Sequence, residues 1–180
     1  MLNNIMTEGE CSKLRSLIHH ANNIVLCCHV SPDGDAIGSV LGMAEVLKCM
    51  GKEPVMVVPD QFPDYLQWLP NTEKIVRYDK RSDYVDMVLK IADLVICLDF
   101  NALSRTDDME AALEACTAPR VLIDHHLNPS IACQVCVSHP NMSSASELVF
   151  RVAWQLGLFE QLGRHFATAV YCGMMTDTGG

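Results

Sequence analysis

No run of about eighteen or more apolar residues occurs in this 180-residue chain, so no membrane-spanning helix is expected from it. The N-terminal stretch MLNNIMTEGECSKLRS lacks the basic-then-apolar order of a secretory signal. Positive charge is scarce as well: 13 Lys and Arg stand against 22 Asp and Glu, a net charge of −9. That balance argues against a broad nucleic-acid-binding surface, which needs basic groups along the phosphates. It leaves room for a small anionic substrate held through bound cations. There is no internal repeat, low-complexity tract or linker, and no G-x-G-x-x-G loop of the dinucleotide-binding kind after the first strand-like run.

Cysteine, by contrast, is plentiful. Nine cysteines in a chain without an export signal indicate a reducing, cytoplasmic setting in which thiols serve as small core residues. The close pair Cys133 and Cys136, in CQVC, falls in a strand-like run, where a spacing of three sends the two side chains to opposite faces and away from a shared metal. Apolar residues make up 49% of the chain, enough for one sizeable core in a single domain.

Apolar runs alternate with helical patterns along the chain. SKLRSLIHHAN (12–22) has helical spacing, NIVLCC (23–28) reads as a buried strand, and AIGSVLGMAEVLKCMG (36–51) reads as a helix closed by Gly51. PVMVV, EKIVRY, LVICLD, RVLIDHH and IACQVCVS read as further strands. DYVDMVLKIA, DDMEAALEAC, SASELVFRVAWQLG and QLGRHFATAVYCGMM read as helices. The expected fold is α/β: a mainly parallel, Rossmann-like sheet with helices on both faces.

In such a sheet the ligand crevice lies beyond the C-terminal ends of the strands. Three apolar runs end there in His or Asp: the first at His29, followed by Asp33 and Asp35, another at Asp99, and a third at Asp124, His125 and His126. Asp177 follows the last helical pattern. Two carboxylates about 4 Å apart repel by roughly 4 kcal/mol at an effective dielectric near 20. Gathering Asp33, Asp35, Asp99 and Asp177 therefore calls for cations. Two divalent ions match four aspartates, with imidazoles filling the remaining positions. Mixed carboxylate and imidazole ligation suits Mn²⁺ best, with Mg²⁺, Fe²⁺, Co²⁺ or Zn²⁺ as alternatives. His19, His20 and His165 read as solvated or packing residues, and Asp93 belongs to the opposite edge of the sheet. Asp107, Asp108 and Glu110 read as the acidic first turn of a helix. His139 is a candidate neighbour of the site.

Four segments in order, HVSPDGDAIGS, LDF, DHH and GMMTDTGG, resemble the four motifs of the DHH phosphoesterase superfamily. Within it the chain is most similar to the nanoRNase and pAp-phosphatase type, which also has a counterpart of MSSASELV. The resemblance implies one metal on His29, Asp33 and Asp99, and a second on Asp35, Asp99, His125 and Asp177, with Asp99 bridging. It implies that His126 faces the substrate phosphate as donor or general acid, and that Asp124 orients a ligand imidazole. Gly34 and Gly38 are expected to let the backbone turn closely round the metals, and Ser39 to cap the helix that begins there.

The superfamily continues through a linker into a second, substrate-binding domain of the DHHA1 kind, for which these residues have no counterpart. Residues 1–180 are therefore expected to be the catalytic half of a longer protein, and the activity of this half alone stays open. The expected activity is hydrolysis of short oligoribonucleotides or removal of the 3′-phosphate of pAp. Cleavage of cyclic di-AMP or linear dinucleotides, polyphosphate or pyrophosphate hydrolysis, and a non-enzymatic nucleotide-binding role remain alternatives. The expected partner is a small nucleotide or short RNA, without a membrane; a homodimer is held open.

Overall fold

The computed structural model describes residues 2–179, so Met1 and Gly180, the last residue of GMMTDTGG, lie outside it. The chain alternates strand and helix: α1 Glu8–His20, β1 Ile24–Cys27, α2 Gly34–Cys49, β2 Val55–Val58, β3 Val76–Arg77, α3 Ser82–Ile91, β4 Leu94–Leu98, α4 Glu110–Ala115, β5 Arg120–Asp124, β6 Val135–Ser138, α5 Ala145–Gln155 and α6 Arg164–Thr178. The six strands form one sheet in the order β3-β2-β1-β4-β5-β6, every neighbouring pair parallel.

The period of two along each strand sorts residues between two cores. Ile24 and Leu26 of β1 and Leu94, Ile96 and Leu98 of β4 join α1, α2, α5 and α6 on one face. Val25, Cys27, Val95 and Cys97 join Val85, Val88 and Leu89 of α3 and Leu113 of α4 on the other. Helices therefore cover both faces, as expected from strands that are apolar at every position. All nine cysteines are free, and Cys11, Cys27, Cys28, Cys97 and Cys116 are buried.

The strand order reverses between β1 and β4. The crossover after β1 leads to β2 on one side and the crossover after β4 leads to β5 on the other, so the ends of β1 and β4 flank a crevice. His29 follows β1 and Asp99 follows β4. Placement of the polar residues at this edge is a consequence of topology.

Several local expectations are corrected. Helix α6 runs on through Thr178, with Gly179 in the left-handed region at φ 80° as its C-terminal stop, so Asp177 lies in the last helical turn and does not follow the helix. Asp33 caps α2, its carboxylate accepting from the Ala36 N–H at 2.9 Å, while Ser39 is buried inside the helix and caps nothing. Gly34 and Gly38 are helical too. A Cβ on Gly38 would stand 2.6 Å from the Ala169 carbonyl oxygen, and one on Gly34 would stand 2.7 Å from Thr176 Cβ. Their bare α-carbons let α6 approach α2, which is a different service from turning round a metal. Cys133 precedes β6, so the alternation of faces does not reach it. It packs on the α3/α4 side, where burial, and then the neighbouring Cys136, raise its thiol pKa. Asp107 and Asp108 sit in a 3-10 segment, 103–109, leaving Glu110 in the first turn of α4.

Candidate metal centre

Each strand end contributes one piece of the centre, and the backbone aims it. Asp99 adopts φ 65°, a left-handed conformation that Asp tolerates better than most residues. This turns the chain out of β4, while the Asp99 N–H still reaches the Ile123 carbonyl at 3.1 Å. The carboxylate points between two imidazoles. His29 Nε2 lies 3.4 Å from Asp99 Oδ2, and His125 Nε2 lies 3.5 Å from Asp99 Oδ1. Asp33 extends the first group, 3.7 Å from His29 Nε2. Asp35 and Asp177 extend the second, 3.6 and 3.8 Å from His125 Nε2.

The rings are held from behind. His29 Nδ1 donates to the Val30 carbonyl at 2.7 Å, and His125 Nδ1 to the Met142 carbonyl at 3.3 Å. A carbonyl can only accept, so Nδ1 carries the proton in both and Nε2 is the atom offered to the carboxylates. Asp124, fully buried, accepts from His126 twice: from its ring Nδ1 at 2.7 Å and from its backbone N–H at 3.1 Å. The buried carboxylate thus orients His126 and not, as expected, a ligand imidazole; a backbone carbonyl serves His125 instead.

The imidazole and carboxylate atoms of this centre stand 3.4 to 3.8 Å apart, mostly too far for closed hydrogen bonds. Asp99 Oδ1 is buried with no hydrogen-bond partner among the described residues. Leaving such an oxygen bare costs about 1–3 kcal/mol or more. Two donors each about 2.1 Å from a shared ion lie roughly 3–3.4 Å apart, close to the spacings here. Three sets of donors each gather tightly enough to share a cation: His29, Asp33 and Asp99; Asp35, His125 and Asp177; and Asp99, His125 and His126. The residues fit a divalent metal on this ground.

Electrostatics agrees. Burial pulls the His29 pKa down, yet Asp33 and Asp99 outweigh it and raise the pKa to about 10. Asp99 raises that of His125 to about 9. Burial works against ionised Asp99, but His125 and His29 hold its pKa below the usual carboxylate range. Burial, with Asp99 nearby, pushes Asp35 up to about 7. Without a metal, protons on the imidazoles supply the positive charge that the carboxylates demand.

All eight residues singled out as ligands, donor or orienter, His29, Asp33, Asp35, Asp99, Asp124, His125, His126 and Asp177, come together. His139 does not join them: its Nε2 donates to the Ile5 carbonyl at 2.7 Å, while its backbone N–H meets the Asp124 carbonyl. Asp93 is at the far edge, accepting from the Asn22 and Asn23 N–H groups. Sequence reasoning missed what holds Asp35. The Ala145 and Ser146 N–H groups each donate to one of its oxygens at 2.8 Å. The signal was the capping pattern S-x-x-E at 144–147, which marks the helix start that provides them.

A Rossmann-like α/β domain with a His/Asp cluster beyond its β1 and β4 ends is the class that fold and site define. Residues 23–174 match the DHH family, N-terminal domain, and the chain belongs to that family. It is 33% identical over 159 residues to the bifunctional oligoribonuclease and PAP phosphatase NrnA of Thermus thermophilus, covering 87% of this chain and 43% of that protein. It is 28% identical over 160 residues to a probable protein of the same name from Streptococcus mutans, covering 88% and 46%. Among solved structures, an exopolyphosphatase-related protein from Bacteroides fragilis superposes with a TM-score of 0.96 at 41% identity, over 99% of this chain and 53% of that one. Exonuclease RecJ bound to manganese superposes with a TM-score of 0.56 at 14% identity, over 98% and 45%, a likeness of fold. The chain spans about half the length of these relatives.

Proposed function

We propose that these residues form the catalytic centre of a metal-dependent phosphoesterase that acts on short oligoribonucleotides and on the 3′-phosphate of pAp. The observation that carries this reading is the buried Asp99 Oδ1, unpartnered among the described residues, on a carboxylate set between two imidazoles with four further potential ligands around it. The names of the Thermus and Streptococcus relatives support the substrate class. Residues 1–180 are proposed as the catalytic half of a longer protein of the cytoplasm.

His29, Asp33 and Asp99 would hold one ion; Asp35, His125 and Asp177 would hold a second, with Asp99 shared and Mn²⁺ the best-matched metal. Two bound ions supply Lewis acidity toward a phosphoryl oxygen and an acidified water as nucleophile. The chain's own contribution is orientation and proton handling. Asp124 fixes the His126 ring through Nδ1, which leaves Nε2 free on the partly exposed side. From there His126, in its doubly protonated form, would donate a hydrogen bond through Nε2–H to the phosphoryl or leaving oxygen as the P–O bond to the ester oxygen breaks and the water oxygen bonds to phosphorus. The acidic balance of the chain fits a small substrate gripped at its phosphate better than a long nucleic acid.

A substrate panel tests the reading: pAp, oligoribonucleotides of a few nucleotides, cyclic di-AMP and pyrophosphate, each with Mn²⁺ and with a chelator. Manganese-dependent release of phosphate from pAp or of mononucleotide from the oligomers is expected. Turnover of pyrophosphate alone, or nucleotide binding without turnover in a chain that also carries the relatives' second half, would overturn it.

A further inference from the structure

The second ligand group is built across three helices, and one small side chain lies at their meeting point. Asp35 sits in the first turn of α2, fully buried. The N-terminus of α5 faces it, with the Ala145 N–H on Oδ2 and the Ser146 N–H on Oδ1, both at 2.8 Å. Ser144 caps α5 by accepting from the Glu147 N–H at 3.0 Å, so the amides of Ala145 and Ser146 are among those that no helical carbonyl takes. The Ser146 hydroxyl then ties α5 to α2 by two contacts: 3.3 Å to the Asp35 carbonyl oxygen and 3.2 Å to Ser39 Oγ. Helix α6 meets the same point through Gly173. A Cβ there would overlap the Ser146 side chain, 2.6 Å from its Cβ, and would stand 3.3 Å from Asp35 Oδ1.

We infer that Ser146 and Gly173 are positioning residues for the second metal position: Ser146 locks the α5 N-terminus onto Asp35, and the bare α-carbon of Gly173 makes room for it. Each Asp35 oxygen accepts from one amide, which fixes the orientation of the carboxylate, and its donor atom gathers with those of His125 and Asp177 closely enough to share an ion. His125 Nε2 is 3.6 Å from Asp35 Oδ2 and 3.8 Å from Asp177 Oδ2. Asp177 rides on α6, four residues beyond Gly173. A side chain at 173 would thus disturb two of the three donors of this group at once. His29, Asp33 and Asp99, held by β1, α2 and β4, do not touch α5 or α6 through these contacts. The inference rests on the two-ion reading above and predicts a split that general loosening of the fold would not give.

The test is Mn²⁺ binding to the chain at one fixed pH, followed by calorimetry and by electron paramagnetic resonance, with circular dichroism checking the fold. The unmodified chain is expected to take two ions and show the signal of an exchange-coupled pair. Gly173→Ala should weaken the second ion by about 10–100-fold, the usual effect of removing support from a ligand, and leave the first unchanged. The paired signal should give way to that of an isolated ion. Adding Ser146→Gly to Gly173→Ala should restore part of the second affinity, because the clash partner is gone. Ser146→Ala, which keeps both amides and folds without crowding, should weaken the second ion by a smaller factor, and it decides the matter should Gly173→Ala not fold. Wild-type affinities for both ions in the folded variants, or equal weakening of both, would overturn the inference. A single ion in the unmodified chain would instead overturn the two-ion reading, and would be seen before any variant is made.

Discussion

His125 Nε2 stands 3.5 Å from Asp99 Oδ1, and that oxygen, although buried, accepts no hydrogen bond among the described residues. The other oxygen of the same carboxylate stands 3.4 Å from His29 Nε2. One side chain at the end of β4 therefore faces the imidazoles delivered by β1 and β5. The left-handed φ of 65° at Asp99 makes this reach possible, since an extended residue would continue the strand.

Asp99→Ala should consequently do more harm than loss of any other donor. It removes a donor common to both proposed ions, so each affinity should fall by about 10²-fold or more, more than the usual loss on removing indirect support. Titration with Mn²⁺ reads this directly. Near-normal affinity in the variant would show that Asp99 does not bridge.

Adjacent His125 and His126 should respond differently to alanine. The first offers Nε2 toward Asp35, Asp99 and Asp177, while the second is tied to Asp124. His125→Ala should lose one ion, with excess Mn²⁺ restoring part of the activity. His126→Ala should keep both ions and slow turnover by about 10²–10³, as for loss of one preorganised donor. Metal stoichiometry in the two variants decides, and an ion missing from His126→Ala would make it a ligand.

Much of this centre was legible because topology and residue type act together. A parallel sheet puts strand ends at one edge, so His29, Asp99 and the DHH run could be assigned to a common crevice from apolar runs alone. The six strands and their helices also followed from period and length. What escaped were contacts made by backbone atoms, which have no residue letter: the Met142 carbonyl behind His125, and the α5 amides on Asp35. Gly34 and Gly38 were read as turn formers because glycine's freedom is visible in sequence, whereas close approach to α6 depends on the tertiary crossing. The helical reach of α6 through Asp177 was underestimated because Thr176 and Thr178 are weak helix formers. Their hydroxyls instead bond back to the Cys172 and Met174 carbonyls within the helix.

The α2/α6 crossing gives a graded stability prediction. A Cβ at Gly38 meets a backbone carbonyl oxygen at 2.6 Å, whereas one at Gly42 meets Val170 Cγ1 at 2.8 Å, a side chain that can rotate. Gly38→Ala should cost about 1–3 kcal/mol by overpacking, and Gly42→Ala distinctly less. Urea unfolding of both variants tests the order, and equal or reversed losses would contradict the packing account.

The metal-free chain should be sensitive to alkali. His29 at about 10 and His125 at about 9 lie above the ordinary value of 6.5, so their contribution is complete below about 6.5 and is lost as pH rises through 9–10. Asp33 and Asp99 lie below the ordinary carboxylate value of 3.8, so their contribution holds above it and is lost on acidification. Asp35, raised to about 7 by burial, acts oppositely and lowers stability as it ionises between about 4 and 7. Urea midpoints of chelator-treated protein should fall between pH 7 and 10. Saturating Mn²⁺ should flatten that fall, and its binding near neutrality should release protons. A metal-free chain that gains stability over this range would refute the assignment of charge.

Anomalous diffraction from crystals grown with Mn²⁺ tests the central claim most directly. Two manganese peaks about 3.5–4 Å apart are predicted, with Asp99 touching both, His29 and Asp33 on one, and Asp35, His125 and Asp177 on the other. One peak, or two that do not share Asp99, would contradict it.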